Sequence, residues 1–286
     1  FLDEIRGGEM GRAGAVATIG RHSPFAVPAP TPAWARAVHG FGWLRHLRAA
    51  ADPAGKAVAQ SITSDWIARS RSAAARSVAF EGEVLAARVI AWLQSADFLL
   101  EGDPAEFYRA MTASLGEQVR MLDFACEEAP PELPALRGRI ALLLANLTLA
   151  GHEAHRARVE KAFLARLADD IPLEGCHVSR NPELVIDLLL DLLPLRHCYA
   201  ATGAKAPQPL LAGIERMIGH LKRMRRGDGE IARFNGMGET RADALATILA
   251  YDSGQPSAAP GDGAGYQRLE AGDMAVIVDA AGPPPL

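Results

Sequence analysis

From Thr31 onward, apolar residues return at intervals of three and four, through Trp34, Val38, Phe41, Leu44 and Leu47, until Asp52-Pro53 interrupts them. That interval is the period of one buried helix face. The same pattern predicts further helices at about 54–69, 81–101, 104–127, 135–150, 153–169, 182–201, 207–225 and 240–250. They are separated by Gly102-Asp103-Pro104, Pro130-Pro131, Gly151 and Pro207, residue types that end helices by freeing φ or removing an N–H donor. Medium-length helices with short connections pack as antiparallel pairs. No fixed-period repeat is visible, which argues against a regular solenoid. Successive pairs can close into an incomplete α/α toroid or stay an open array, and periodicity does not separate the two.

The flanks read differently. Residues 1–30, with Gly7-Gly8, Gly11 and prolines at 24, 28 and 30, are expected to form an extended, irregular arm before the helical domain of 31–252. The stretch 253–264 is rich in Gly, Pro, Ser and Ala and reads as a linker. In 265–286, two alternating segments (Tyr266 to Glu270 and Met274 to Asp279) flank Ala271-Gly272-Asp273, a hairpin signal. A lone two-stranded hairpin is marginal in water. This segment is therefore expected to be the start of a β domain, cut at Pro283-Pro284-Pro285-Leu286. The fold class expected is mainly α: antiparallel helix pairs followed by the first strands of a β domain.

Composition narrows the partners. With 49% hydrophobic and 22% charged residues over 286 positions, the chain has material for a sizeable core. A net charge of −4 argues against nucleic acid, which needs clustered cations for phosphate contacts. The run Lys222-Arg223-Met224-Arg225-Arg226 closes a helix, where cations suit the dipole. Cys126, Cys176 and Cys198 are too scattered for a disulfide framework or a zinc site, so neither a metal nor a cofactor is expected. No apolar run reaches the roughly 18 residues of a membrane span. Phe1 opens the chain in place of methionine, so the sequence is expected to begin inside a longer polypeptide, and the compartment and oligomeric state stay open.

Chemistry concentrates in Gly175-Cys176-His177-Val178-Ser179-Arg180-Asn181-Pro182, on the entry to the leucine-rich helix. Asparagine is a preferred N-cap and proline a preferred first helical residue, which sets the helix start. Arginine can neutralise a carboxylate bidentately, an amide can donate to an oxyanion, and histidine titrates near neutrality. For His177 and Arg180 a functional role and a structural one are equally open, while capping is the first expectation for Asn181. A second segment, Gly227-Asp228-Gly229-Glu230-Ile231-Ala232-Arg233-Phe234-Asn235-Gly236-Met237-Gly238, lacks the spacing of a dinucleotide fingerprint. Its Arg233 and Asn235 either face a groove or belong to a connecting loop. His152-Glu153-Ala154-His155 places its histidines three apart, not the four of a metalloprotease helix. Arg88 and Trp92 share a helix face at i and i+4 and are candidates for a sugar-stacking cleft.

Four segments together resemble one family: Trp34-Ala35-Arg36-Ala37-Val38-His39-Gly40-Phe41-Gly42-Trp43-Leu44, Ala87-Arg88-Val89-Ile90-Ala91-Trp92-Leu93, the loop from Gly175 to Glu183, and the glycine-rich run from Gly227 to Gly238. In this order they look like heparinase II/III-like proteins, and Gly265 to Asp279 looks like the first strands of that family's β-sandwich. The resemblance covers most of the chain from about Ser23. It implies an α/α toroid followed by a truncated sandwich, in a bacterial polysaccharide lyase, periplasmic or cytoplasmic, that cleaves uronate-containing acidic glycans by β-elimination in the cleft between the two. The uronate carboxylate must be neutralised so that the C5 proton can be removed.

On that reading His177 is the acid/base candidate, Arg180 the carboxylate neutraliser and Asn181 a cap or oxyanion donor. Arg233, Asn235, Arg88 and Trp92 would contact the glycan. The chain departs from the family pattern at Gly138-Arg139-Ile140, where an Asn-His pair is expected, and at Asn181-Pro182-Glu183-Leu184, where the pattern is Ser-Pro-x-Tyr. The alternative is a non-catalytic glycan-binding or cell-envelope module that keeps the fold, and a third reading is a structural helical scaffold.

Overall fold

The computed structural model describes every residue except 51, 72–76, 103–104, 129–135, 152, 173, 253, 255–264, 273 and 282–286. The breaks expected at Asp103-Pro104 and Pro130-Pro131, His152, all of the 253–264 linker but Gly254, and the close at 283–286 lie outside the described residues. The chain forms two compact units, Phe1–Leu149 and Ala150–Leu286. Their boundary falls inside the 31–252 segment.

The first unit begins with α1 (Leu2–Arg6), β1 (Glu9–Arg12) and β2 (Ala15–Thr18). The expectation of an irregular arm is corrected here. β1 and β2 pair antiparallel across Ala13-Gly14, both with positive φ, and this conformation twists as the flanking strands do. The ribbon is held from outside: Trp34 Nε1 donates to the Met10 carbonyl at 2.8 Å, and Met10, Ala17 and Ile19 are buried.

The helical part continues with α2 (Pro32–His39), α3 (Leu44–Ala50), α4 (Pro53–Ser70), a 3-10 turn at Val78–Phe80, α5 (Gly82–Gln94), α6 (Ala96–Leu100), α7 (Ala105–Glu128) and α8 (Leu136–Thr148). Thr31-Pro32 and Asp52-Pro53 cap α2 and α4. Thr31 Oγ1 accepts from Trp34 N at 3.1 Å, and Asp52 Oδ1 accepts from Ala54 N at 2.9 Å. The helix expected to run through Gly40 to Trp43 is two helices, because the chain turns at Phe41 with φ 58° while its ring stays in the core.

α5 is the hub of this unit and packs against α2, α7 and α8. Around it Trp66 and Trp92 meet edge to face at 5.5 Å, and Phe41 meets Trp92 in the same way at 5.5 Å. Each such fully buried aromatic contributes on the order of 2–3 kcal/mol by leaving water. Gly138 on α8 permits close approach to α7, since a Cβ there would lie 2.7 Å from Cys126 Sγ.

The second unit contains α9 (Glu153–Asp170), α10 (Pro182–Ala201), α11 (Gln208–Met224), α12 (Ala242–Leu249), β3 (Tyr266–Ala271) and β4 (Met274–Asp279). α10 packs on α11 and α12, burying Val185, Ile186, Leu189, Leu192 and Leu195. β3 and β4 pair antiparallel with Tyr266 opposite Asp279 and Leu269 opposite Val276. Side chains alternate across a strand. Tyr266, Arg268, Ile277 and Asp279 therefore share one face, while Leu269, Met274, Val276 and Val278 share the other and are exposed.

Candidate functional site

The loop after α9 is built around two constraints. Val178 N donates to the Asp170 carbonyl at 3.0 Å, folding the loop back on the helix end. Gly175, at φ +76°, passes so close to α11 that a Cβ would sit 2.2 Å from the Arg216 carbonyl oxygen. No other residue fits there. Cys176 is buried, and burial pushes its thiol up to about 12, so it is neither a thiolate nor a nucleophile at neutral pH. Asn181 caps α10, its Oδ1 accepting from Glu183 N at 2.8 Å.

His177 is nearly buried, and its Nδ1 is occupied. The Ser179 backbone N–H donates to it at 3.1 Å, and the Ser179 hydroxyl lies 2.8 Å away. This assigns the proton to Nε2. Burial lowers its pKa, with the Asp170 carboxylate opposing that effect and Arg166 adding to it. The imidazole is thus neutral at neutral pH.

Arg180, at φ 54°, turns its guanidinium to β4. Its Nη1 lies 3.2 Å from Asp279 Oδ1, with only 11% and 19% of the two side chains exposed. Its carbonyl accepts from the Tyr266 hydroxyl at 2.6 Å and from Asn235 Nδ2 at 3.1 Å. Asn235 Nδ2 also faces the Tyr266 hydroxyl at 2.8 Å and Asp279 Oδ2 at 3.2 Å. Burial pushes the Tyr266 phenol up to about 12; the Asn235 hydrogen bond opposes this and the Asp279 charge reinforces it. His220 on α11 packs its ring 6.0 Å from that of Tyr266, and burial together with Arg223 brings its pKa down to about 4.

The sequence candidates therefore separate. Arg180 and Asn235 meet in one partly exposed network, Asn181 serves as a helix cap, and His177 bonds within its own loop. Arg233 is exposed, pairs with Glu230 at 3.1 Å, and lines a groove of about 630 Å³ with Arg226, Phe234, Arg268, Glu270 and Ile277. His177 and Arg180 do not line that groove. Arg88 and Trp92 are corrected outright. They do share a helix face, but it is the inward face of α5 and both are fully buried, so neither belongs to a sugar cleft.

Tyr266 and Asp279 are the network members that the sequence reading missed, as is His220, which packs beside the network against the Tyr266 ring. The strand register sets Tyr266 opposite Asp279, but no local signal joins them to a loop that precedes Tyr266 by 86 residues. Among the described residues no group of three or more His, Cys, Asp or Glu could hold a metal ion.

No protein-family model matches the chain. It is 31% identical over 271 residues to FtsZ-localized protein C of Caulobacter vibrioides, covering 92% of this chain and 45% of that protein. The chain thus spans about half the length of the curated relative it matches. Among solved structures it is similar to the heparan sulfate lyase HepC of Pedobacter heparinus, with a TM-score of 0.60 and 14% identity over 80% of this chain and 38% of that one. A mutant of the same lyase matches with a TM-score of 0.60 and 14% identity over 96% and 49%. The fold is heparinase-like: mainly helical, of the α/α toroid class, with an antiparallel strand pair at Tyr266–Asp279.

Proposed function

We propose that this chain is the helical part of a heparinase-fold protein that recognises acidic glycan without cleaving it, as a cell-envelope module associated with FtsZ. The observation carrying this reading is the Arg180–Asp279 ion pair. β-Elimination requires a cation free to neutralise the uronate carboxylate, and here that charge is already balanced by a shielded carboxylate of the same unit. The remaining candidates agree: His177 Nδ1 is occupied, Asn181 is used by its helix, and Leu184 stands where the lyase pattern has tyrosine.

Binding falls to the groove beside the strand pair. Arg226, Arg233 and Arg268 line it, each with an acidic partner that is half exposed, and such pairs exchange readily because they contribute little. Phe234 offers a face for sugar stacking. The similarity to a protein named for its localisation with FtsZ supports a role beside FtsZ. The exposed apolar face of Leu269, Met274, Val276 and Val278 supports reading 265–286 as the first strands of a larger sandwich, joined through the 253–264 linker to a helical domain of 31–252.

The test is a binding titration of the full polypeptide against uronate-containing and neutral polysaccharides. Preference for the acidic polymers, weakened severalfold in Arg233→Ala and Phe234→Ala, is expected; equal binding of both classes contradicts the reading. A second reading, turnover, draws on the lyase-like fold and on the Tyr266 hydroxyl held against the same loop.

A further inference from the structure

The groove of the second unit carries its own counter-charges. Arg226, Arg233 and Arg268 line it, and each meets a carboxylate close to it in sequence: Asp228, Glu230 and Glu270. Asp228 and Glu270 line the groove themselves. A ligand anion that takes over one of these arginines leaves the displaced carboxylate tethered beside it, inside a Debye length of about 8 Å. Exchange therefore suits a ligand whose charges are few and far apart. It crowds a ligand with several anions on each sugar.

The three arginines are not equally available. Arg268 is fixed at the end of α11, where its Nη1 donates to the carbonyls of Arg223 at 2.9 Å and Arg225 at 2.7 Å. Its Nε donates to Glu270 Oε1 at 2.6 Å. Arg226 bonds Asp228, whose other oxygen accepts from Glu230 N at 3.0 Å. The Glu230 N–H and then the Arg226 guanidinium hold the Asp228 carboxyl below the usual carboxylate range, so it stays ionised. Arg233 is held more loosely, in an exposed pair with Glu230 at 3.1 Å, next in sequence to Phe234. Such a pair contributes little and exchanges.

We propose that the groove selects a sparsely charged, unsulfated uronate glycan: Arg233 takes its carboxylate, Phe234 its sugar face, and Asp228, Glu230 and Glu270 repel densely sulfated chains. The inference rests on the proposed binding of glycan in this groove. Like charges set against the wrong partner give specificity as effectively as attraction gives affinity.

The experiment is calorimetric titration of the full polypeptide with heparin and with the same polymer after complete desulfation and N-acetylation, each at low and at physiological ionic strength. The wild type is expected to bind the desulfated polymer about tenfold more tightly than heparin, with affinity for it changing less than about threefold between the two salt conditions. Asp228→Asn combined with Glu270→Gln, both at exposed positions, should raise heparin affinity about tenfold and steepen its salt dependence. Affinity for the desulfated polymer should stay within about twofold. Heparin bound as tightly as its desulfated form, or a double variant that discriminates as the wild type does, overturns this selectivity and leaves glycan binding intact. Binding of neither polymer overturns the glycan reading and the selectivity with it.

Discussion

Arg180 Nη1 and Asp279 Oδ1 lie 3.2 Å apart, joining the loop that opens α10 to the last residue of β4. The same two segments are joined again through the Tyr266 hydroxyl and the Arg180 carbonyl at 2.6 Å. The arginine thus acts as a fastener for the strand pair, and a positive charge that a lyase would spend on substrate is spent within the unit.

Removing the carboxylate should expose that exchange. Asp279→Asn is expected to destabilise the second unit by about 2 kcal/mol, because it leaves a shielded guanidinium without its counter-charge. It should also raise affinity for glucuronate. Urea unfolding and calorimetric titration read the two effects, and a stable variant with unchanged affinity would show that the pair matters little.

Gly175 cannot be replaced. A Cβ 2.2 Å from the Arg216 carbonyl oxygen, at φ +76°, forces the loop off α11. Gly175→Ala is expected to cost at least about 3 kcal/mol in urea unfolding. A cost under about 1 kcal/mol would mean that the loop relaxes freely.

The Asn181 side chain should matter as a cap and in no other way. Asn181→Ala is expected to lower stability by about 1 kcal/mol, and Asn181→Ser to restore most of it, with glycan affinity equal in both. Loss of binding in Asn181→Ala at full folding would restore its role as a donor to ligand.

Acid should loosen the fold through its buried histidines. His220 titrates near 4 when folded, against 6.5 ordinarily. Between those values the unfolded chain binds more protons than the folded one, so stability falls as pH drops from about 6.5 and levels off below about 4. His220→Phe cannot take up a proton and should flatten the slope across that window in urea unfolding at stepped pH. An unchanged slope would assign the acid loss to other groups.

Much of the helical architecture was legible because capping and periodicity coincide. Thr31-Pro32, Asp52-Pro53 and Asn181-Pro182 each begin a helix in which the cap hydrogen bond is made. The hairpin at Ala13-Gly14 was hidden because alanine is a poor residue for positive φ, and the break at Phe41 because its ring keeps the apolar period while the backbone turns. The role of Arg88 was hidden for a different reason. An arginine on a helix reads as surface, and nothing near it in sequence shows that Trp66 and Gln118 enclose it. The site was half legible: the loop stood out, but its partners Tyr266 and Asp279 arrive through tertiary pairing.

The most direct measurement is the ultraviolet absorbance of unsaturated uronate during prolonged incubation of the full polypeptide with uronic-acid polymers that it binds. With Arg180 held by Asp279, the expected result is binding with no unsaturated product. Product that accumulates in the wild type and disappears in His177→Ala would contradict the account and establish a lyase.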